Sequence, residues 1–285
     1  MPRCVPGKHV SIRVVESAFY EQVSPDSYLS TPATAGPWSV GAQHGGPPSA
    51  LAARALELHE PDQGQRLARV AVDILRPVPI GKLSLRTRTV RPGRRVALLE
   101  TVMESDGREV LHARGWRVER PAGPVPEVTD GRPAEPVPPE SDGPPPEIFV
   151  SRPDGYLSMI EWRFLPSGGG LAVREGPAGL EAEVRRAWAR SRIPVLAGEE
   201  PTPMMRTLLV ADSGSGLGAA LPPSGFIFIN VDLTVVTERD QAGEWLLLEA
   251  STVIGADGTG LATTRLADPG GSCGQAMQTL LVAPR

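Results

Sequence analysis

The 285-residue sequence predicts an α+β protein built from two similar units, each a single helix followed by an antiparallel meander of four strands. Three observations predict it. A proline-dense stretch from Pro121 to Glu147 divides the chain into parts of comparable size. On each side of it one helical pattern precedes four strand-like segments. Turn signals, Ser105-Asp106-Gly107 and Ala256-Asp257-Gly258, fall between strands of the two meanders. The expected division is a unit over residues 1–120, a linker over 121–147 and a second unit over 148–285. The repeat is one of element order, not of residue identity.

In the first unit, short strand signals at Ala18–Glu21 and Ser27–Ser30 precede a loop from Gly36 to Gly46. A helix fits Pro47 to His59, with Leu51, Ala55 and Leu58 at helical spacing. Strands fit Ala68–Leu75, Lys82–Val90, Arg95–Glu104 and Glu109–Val118; Val70, Val72 and Ile74 alternate as a half-buried strand requires. The linker includes Pro133, Pro136, Pro138, Pro139 and the run Pro144-Pro145-Pro146. Prolines at this density lack the backbone donors of helix and sheet, so a semi-extended connector is expected. In the second unit, strands fit Met159–Leu165 and Glu181–Trp188. A helix fits Pro203–Ala211, with Thr202 as N-cap and proline in the first turn. Strands then fit Phe226–Val236, Trp245–Ile254, Gly260–Ala267 and Gln275–Val282. A curled sheet can bury its concave face on the helix, and two such units pairing edge to edge would cover each other's exposed edge.

Composition narrows the function classes. The formal charge of -4 and the lack of a basic block argue against nucleic acid as a partner. No stretch reaches the roughly 20 continuous apolar residues of a membrane span. Met1 to Pro6 has no apolar core of signal-peptide length, so a cytoplasmic location is expected. Cys4 and Cys273 lie near opposite ends and make neither a disulfide framework nor a zinc site.

Polar residues on apolar faces are the candidates for chemistry, because each carries a desolvation cost. Asp212 lies four residues past Leu208 and eight past Met204, on one face if the helix runs that far. Desolvation and the negative end of the helix both suit a general base there; the alternative is an Asx-type turn at Asp212-Ser213-Gly214. Gln278 shares a strand face with Ala276, Leu280 and Val282, and points into a cavity or bonds loop backbone at an edge. Asn230 alternates with Phe226, Phe228, Asp232 and Thr234, a mixed face that can line a site, although spacing alone favours the solvent side. Gln43-His44-Gly45-Gly46 precedes the first helix, where glycines let a ligand approach the free helix donors. Such donors can polarise a carbonyl.

Other motifs fail on context. Gly270-Gly271-Ser272-Cys273-Gly274 has the spacing of a serine-hydrolase elbow but sits between strands, and all four histidines precede it. Gly214-Ser215-Gly216-Leu217-Gly218 follows a helix and opens no βαβ unit. No cluster has metal-ligand spacing. Arg86, Arg88, Arg91, Arg94 and Arg95 fit a solvated strand face and turn, although they could attract a phosphorylated carrier.

The run from Gln43 to Leu51, the segment Ile74-Leu75-Arg76-Pro77 and the Asp106-Gly107 turn resemble the N-terminal half of the TesB-like acyl-CoA thioesterase II family. So do Ala211-Asp212-Ser213, Asn230 to Thr234, Gly243 to Leu247 and Gln275 to Thr279 in the second half. The resemblance implies a double-hotdog fold, in which each curled sheet wraps one central helix. It also implies hydrolysis of acyl-CoA, or an acyl group on a related carrier, to free acid without metal or redox cofactor. A homodimer is a compatible assembly. Asp212 and Gln278 fall on the family's aspartate and glutamine positions. The middle position falls on Asn230, or on Thr234 in another register, and Val235 to Arg239 lack the family's usual histidine. The expected mechanism has Asp212 activate water, aided by Gln278 and Asn230, with His44, Gly45 and Gly46 binding substrate and backbone donors there holding the thioester oxygen. A hydratase or dehydratase would need a histidine near the acid, and none follows Asp212. A non-catalytic acyl-binding or biosynthetic accessory protein is the other alternative.

Overall fold

Alternating burial along strands and near-complete burial of one helix determine the layers. The computed structural model describes residues 17–39, 41–62, 64–151, 154–166, 171–177 and 179–285. Cys4, His9 and the N-terminal Met1 to Pro6 lie outside the described residues.

Two short strands, β1 (Tyr20–Ser24) and β2 (Ser27–Ser30), lead to helix α1 (Gly46–Leu58). The meander is β3 (Gln65–Ile74), β4 (Lys82–Arg91), β5 (Val96–Ser105) and β6 (Arg108–Glu119). Ten of the 13 residues of α1 are buried, so this helix lies inside the molecule instead of along its surface. The guanidinium of Arg117 closes its C-terminal end, donating to the carbonyls of Leu56, Glu57, His59 and Glu60 that the helix itself leaves unpaired. Asp106 and Gly107 both have positive φ, as a tight turn between β5 and β6 requires.

After the linker come α2 (Glu147–Ser151), α3 (Tyr156–Met159), β7 (Ile160–Phe164), β8 (Val173–Gly176), β9 (Gly179–Ala182) and β10 (Arg185–Ser191). Helix α4 (Pro203–Ala211) follows, with Thr202 Oγ1 accepting the Met205 N–H as its cap at 3.2 Å. Next come α5 (Gly214–Leu217), β11 (Phe226–Asn230), β12 (Asp232–Thr237), β13 (Leu246–Ile254), β14 (Thr259–Asp268) and β15 (Gly271–Pro284).

Among the described residues, 13 strands form one antiparallel sheet in the order β1-β2-β4-β5-β6-β3-β12-β15-β14-β13-β10-β7, with β11 also on β15. The halves join at β3 and β12, where Val70 faces Val235 and Val72 faces Leu233. Those four side chains are buried in the main core with Leu51 and Leu56 of α1 and Leu208 of α4. The two helices lie side by side and antiparallel. The start of α1 approaches the end of α4 so closely that a Cβ on Gly46 would stand 2.1 Å from the Leu209 carbonyl oxygen. At the other end, Thr202 Oγ1 donates to Glu57 Oε2 at 2.7 Å.

Two sequence expectations need correction. Phe226–Val236 is not one strand: it breaks at Val231, and the inward parity changes there. Phe228 is buried before the break, and Leu233 and Val235 are buried after it. Glu181–Trp188 is likewise split, because β9 pairs with β8 in a separate hairpin and β10 joins the main sheet. The linker lies against the second half. Residues 121–146 form no helix or strand, yet Asp130 pairs with Arg265 at 2.6 Å, Arg132 with Glu249 at 3.0 Å and Glu135 with Arg186 at 2.5 Å. Val137 packs against a cluster containing Trp188 and Leu247 of the second half's sheet.

Candidate active site

Asp212 is the C-cap of α4 and 4% exposed, with α-helical backbone that carries the chain directly into α5. The Asx-turn alternative does not describe it, because its carboxylate is taken up by side chains. Asn230 Nδ2 donates to Asp212 Oδ1 at 2.8 Å, and Gln278 Nε2 donates to the same oxygen at 3.1 Å. Gln278 also donates to the Asp212 carbonyl at 3.1 Å, while its own Oε1 accepts the Ser215 N–H at 3.0 Å. This amide therefore cannot turn without breaking bonds at both ends, and it fixes the carboxylate in one orientation. The alternation read from the sequence places Gln278 on the inner face with Ala276 and Leu280, and all three are buried.

The other carboxylate oxygen faces the first half of the chain. Asp212 Oδ2 lies 3.1 Å from His44 Nδ1, and that nitrogen accepts the Gly46 N–H at 3.1 Å. The imidazole stacks on Tyr156, with ring centroids 3.8 Å apart and planes 11° apart. Tyr156 is held in turn by the Leu209 carbonyl at 2.8 Å and Ser213 Oγ at 3.0 Å. Burial lowers the His44 pKa, against an upward pull from Asp212, and so favours neutral imidazole. Asp212 thus sits between two helix ends of opposite sign, the C-terminus of α4 and the N-terminus of α1. Gly45 makes this approach possible, since a Cβ there would stand 2.7 and 2.8 Å from the two carboxylate oxygens.

The structure thus brings Asp212, Asn230, Gln278, His44, Gly45 and Gly46 to one place. Thr234 is excluded from it: beyond the break at Val231 it lies on the face opposite Leu233 and Val235, away from the carboxylate. The same break turns Asn230 inward, against the solvent side that spacing favoured. The supply of backbone donors is thinner than expected. Gly46 N–H is spent on His44, Pro47 and Pro48 have none, and only Gly45 N–H lacks a partner among the described residues near the helix start. A histidine does adjoin the acid, from the other half of the chain, so the sequence argument that looked only beyond Asp212 missed it.

A pocket of about 430 Å³ opens onto the carboxylate. His44, Gly45, Asp212 and Asn230 line one part, Trp38, Ile148, Phe149 and Leu157 another, and Arg76 stands exposed beside it. Sequence reading missed Tyr156, Ser215 and the wall from α2. The glycine run around Ser215, set aside as a failed nucleotide loop, carries the signal for the last two: it forms α5, which anchors Gln278 and leaves room at Gly216. The failed hydrolase motif lies elsewhere. Cys273 is buried, its thiol pushed up to about 12, and Ser272 donates to Glu238 at 2.7 Å. No described helix is long and apolar enough to cross a membrane.

Comparison with known proteins bears on this geometry. Residues 34–118 match the family model of the acyl-CoA thioesterase N-terminal domain, and residues 130–282 that of the C-terminal domain. No curated protein matches the sequence. Among solved structures, the chain is similar to a protein from Thermobifida fusca YX provisionally described as a thioesterase II, with 17% identity, TM-score 0.67 and coverage of 94% of this chain and 96% of that one. It is similar to a hot dog fold protein from Alicyclobacillus acidocaldarius, with 16% identity, TM-score 0.66 and coverage of 93% and 95%. It is also similar to an acyl-CoA thioesterase II from Mycobacterium marinum, with 16% identity, TM-score 0.61 and coverage of 93% and 95%. At these identities the likeness is one of fold, and that fold is the hot dog.

Proposed function

Because the chain belongs to the acyl-CoA thioesterase family, we propose that it hydrolyses acyl-CoA thioesters to free acid and CoA, in a double-hotdog arrangement whose two units share one site. The observation that carries this reading is the Asp212 carboxylate, buried, fixed on one oxygen by two amides and open to an apolar pocket. Water held by Asp212 attacks the thioester carbonyl while the carboxylate takes its proton. A C–O bond forms, and the carbonyl oxygen becomes an oxyanion that the Gly45 N–H at the start of α1 can meet. Collapse restores the carbonyl, breaks the C–S bond and releases the thiolate, which takes up the proton. Asn230 and Gln278 do not move protons; they hold Oδ1 so that Oδ2 keeps its orientation. Once Asp212 Oδ2 holds the transferred proton, its 3.1 Å contact with the neutral His44 Nδ1 becomes a hydrogen bond.

The same contact supports a second reading, an acyl-CoA hydratase or dehydratase, which needs a histidine beside an acid. Incubating the protein with saturated and 2,3-unsaturated acyl-CoA separates them, since only hydrolysis frees thiol and only hydration removes the conjugated double bond.

Asp212→Asn tests the base directly. It keeps the shape and loses the basicity. Hydrolysis should fall by about 10²–10⁴-fold with the melting temperature close to that of the parent. Gln278→Ala should cost less turnover, because the base remains. A folded Asp212→Asn protein that hydrolyses at the parental rate would eliminate Asp212.

A further inference from the structure

The pocket at Asp212 does not end at an unbroken wall. A second apolar cavity of about 140 Å³ lies beyond it, and the two share Trp38, Ile148, Ser215 and Gly216 as lining. The far side of the second cavity is apolar as well, formed by Pro145, Pro146, Leu171, Ala219 and Phe228 among others. Arg76 is exposed beside the first pocket, and the apolar residues Ile148, Phe149 and Leu157 lie at its buried part. A thioester whose carbonyl rests at Asp212 therefore has apolar room for its acyl group on the Ile148 side.

Ile148 is held there. It is 8% exposed and belongs to the main core. Its neighbour Phe149 is gripped edge-on by Trp162 and Phe164, with centroids 4.8 and 5.3 Å away, and its N–H donates to Pro146 O at 2.9 Å. Trp38 comes from the opposite side, 44% exposed, with its ring 6.4 Å from Phe228 of the second cavity. Between them Gly216 leaves space, because a Cβ added to it would only touch Ile148 Cγ2 at 3.7 Å and Phe149 Cε2 at 3.9 Å.

Resting on the thioesterase reading for the nature of the ligand, we infer that Ile148 and Trp38 form a partition that sets the acyl chain length: the short helix that follows the linker carries a specificity-determining residue. Acyl groups that end before the partition fit the first pocket. Longer ones need the second cavity, which opens to them when either side chain is cut back. Each further CH₂ buried is worth about fourfold in affinity, so affinity should climb with chain length and then stop climbing at the partition.

The test uses the full chain and S-alkyl-CoA thioethers of increasing length, which bind without being cleaved. Calorimetry gives dissociation constants for the parent, Trp38→Ala and Ile148→Ala, and melting curves confirm folding. The expected result is a plateau in the parent and a plateau at longer chains in both variants. Trp38 is half exposed, so its variant carries the test if Ile148→Ala does not fold. The same plateau in all folded proteins, or no thioether binding at all, overturns the inference. If the thioethers bind as expected but the parent cleaves no acyl-CoA, the partition stands and the thioesterase reading fails.

Discussion

Gly45 and Gly46 adjoin in sequence but differ in what a side chain would meet, and the difference separates chemistry from packing. A Cβ on Gly45 would press on the Asp212 carboxylate within 2.9 Å, whereas one on Gly46 would stand 2.1 Å from the backbone oxygen of Leu209. Gly45→Ala should therefore displace the carboxylate and lower turnover by an order of magnitude or more with a small change in melting temperature. Gly46→Ala should separate α1 from α4 and destabilise the fold by about 1–3 kcal/mol, the usual cost of overpacking. Turnover and melting curves on both proteins check this; equal loss of stability in the two would remove the distinction. Legibility in the sequence varied among the site residues in the same way. Gln278 was readable because β15 keeps one alternation through its inner residues. Asn230 was not, because the break at Val231 reverses the parity that spacing assumes. The partner histidine was invisible for another reason: no local pattern joins His44 to Asp212, and only the antiparallel packing of two helices brings them together.

That helix pair has a second junction, at the end of α1 and the start of α4. Glu57 accepts the Thr202 hydroxyl there, and Thr202 in turn caps α4. Burial raises the Glu57 pKa to about 7; the Thr202 bond and Arg117 oppose this, and Asp240 and Glu199 add to it. A carboxyl raised in the folded state stabilises the fold when protonated, so its contribution is fully present below its ordinary value and is lost as pH rises through about 7. The melting temperature should accordingly decline across neutral pH. Glu57→Gln keeps an acceptor for Thr202 and carries no charge, so it should flatten that decline and melt above the parent in alkaline buffer. Parallel curves for parent and variant would show that Glu57 does not titrate in the fold. The capping half of this junction was legible, since Thr202-Pro203 announces a helix start. Its contact with Glu57 was not, for it depends on the sheet bringing the two helices together.

The two halves repeat each other closely enough to ask why only one such constellation is built among the described residues. Strand β3 is interrupted at Ala68, between Leu67 and Arg69, as the second half is interrupted at Val231. Leu67 pairs with Arg117 on β6 as Asn230 pairs with Leu280 on β15. Two residues back along those partner strands stand Gly115 and Gln278. Leu67 thus corresponds to Asn230 and Gly115 to Gln278, and a Cβ on Gly115 would meet the Cδ1 atoms of Leu67 and of Leu56 from α1 at 2.6 and 3.0 Å. Where the second half holds a carboxylate between two amides, the first half packs two leucines against a glycine. The repeat of element order in the sequence anticipated two similar units, and it could not show that α1 brings its N-terminal end to a site on the second half. The polar site at Asp212 draws His44 and Gly45 from one half and Asp212, Asn230 and Gln278 from the other. One consequence is stoichiometric. Calorimetric titration with an S-alkyl-CoA thioether should give one ligand per chain, and the turnover left after the roughly 10²–10⁴-fold loss in Asp212→Asn should not come from a second site in the first half. Two ligands per chain, or residual hydrolysis that Gly115→Leu removes from the Asp212→Asn protein, would mean that the leucine-filled position still binds substrate and that the halves are functionally equivalent after all.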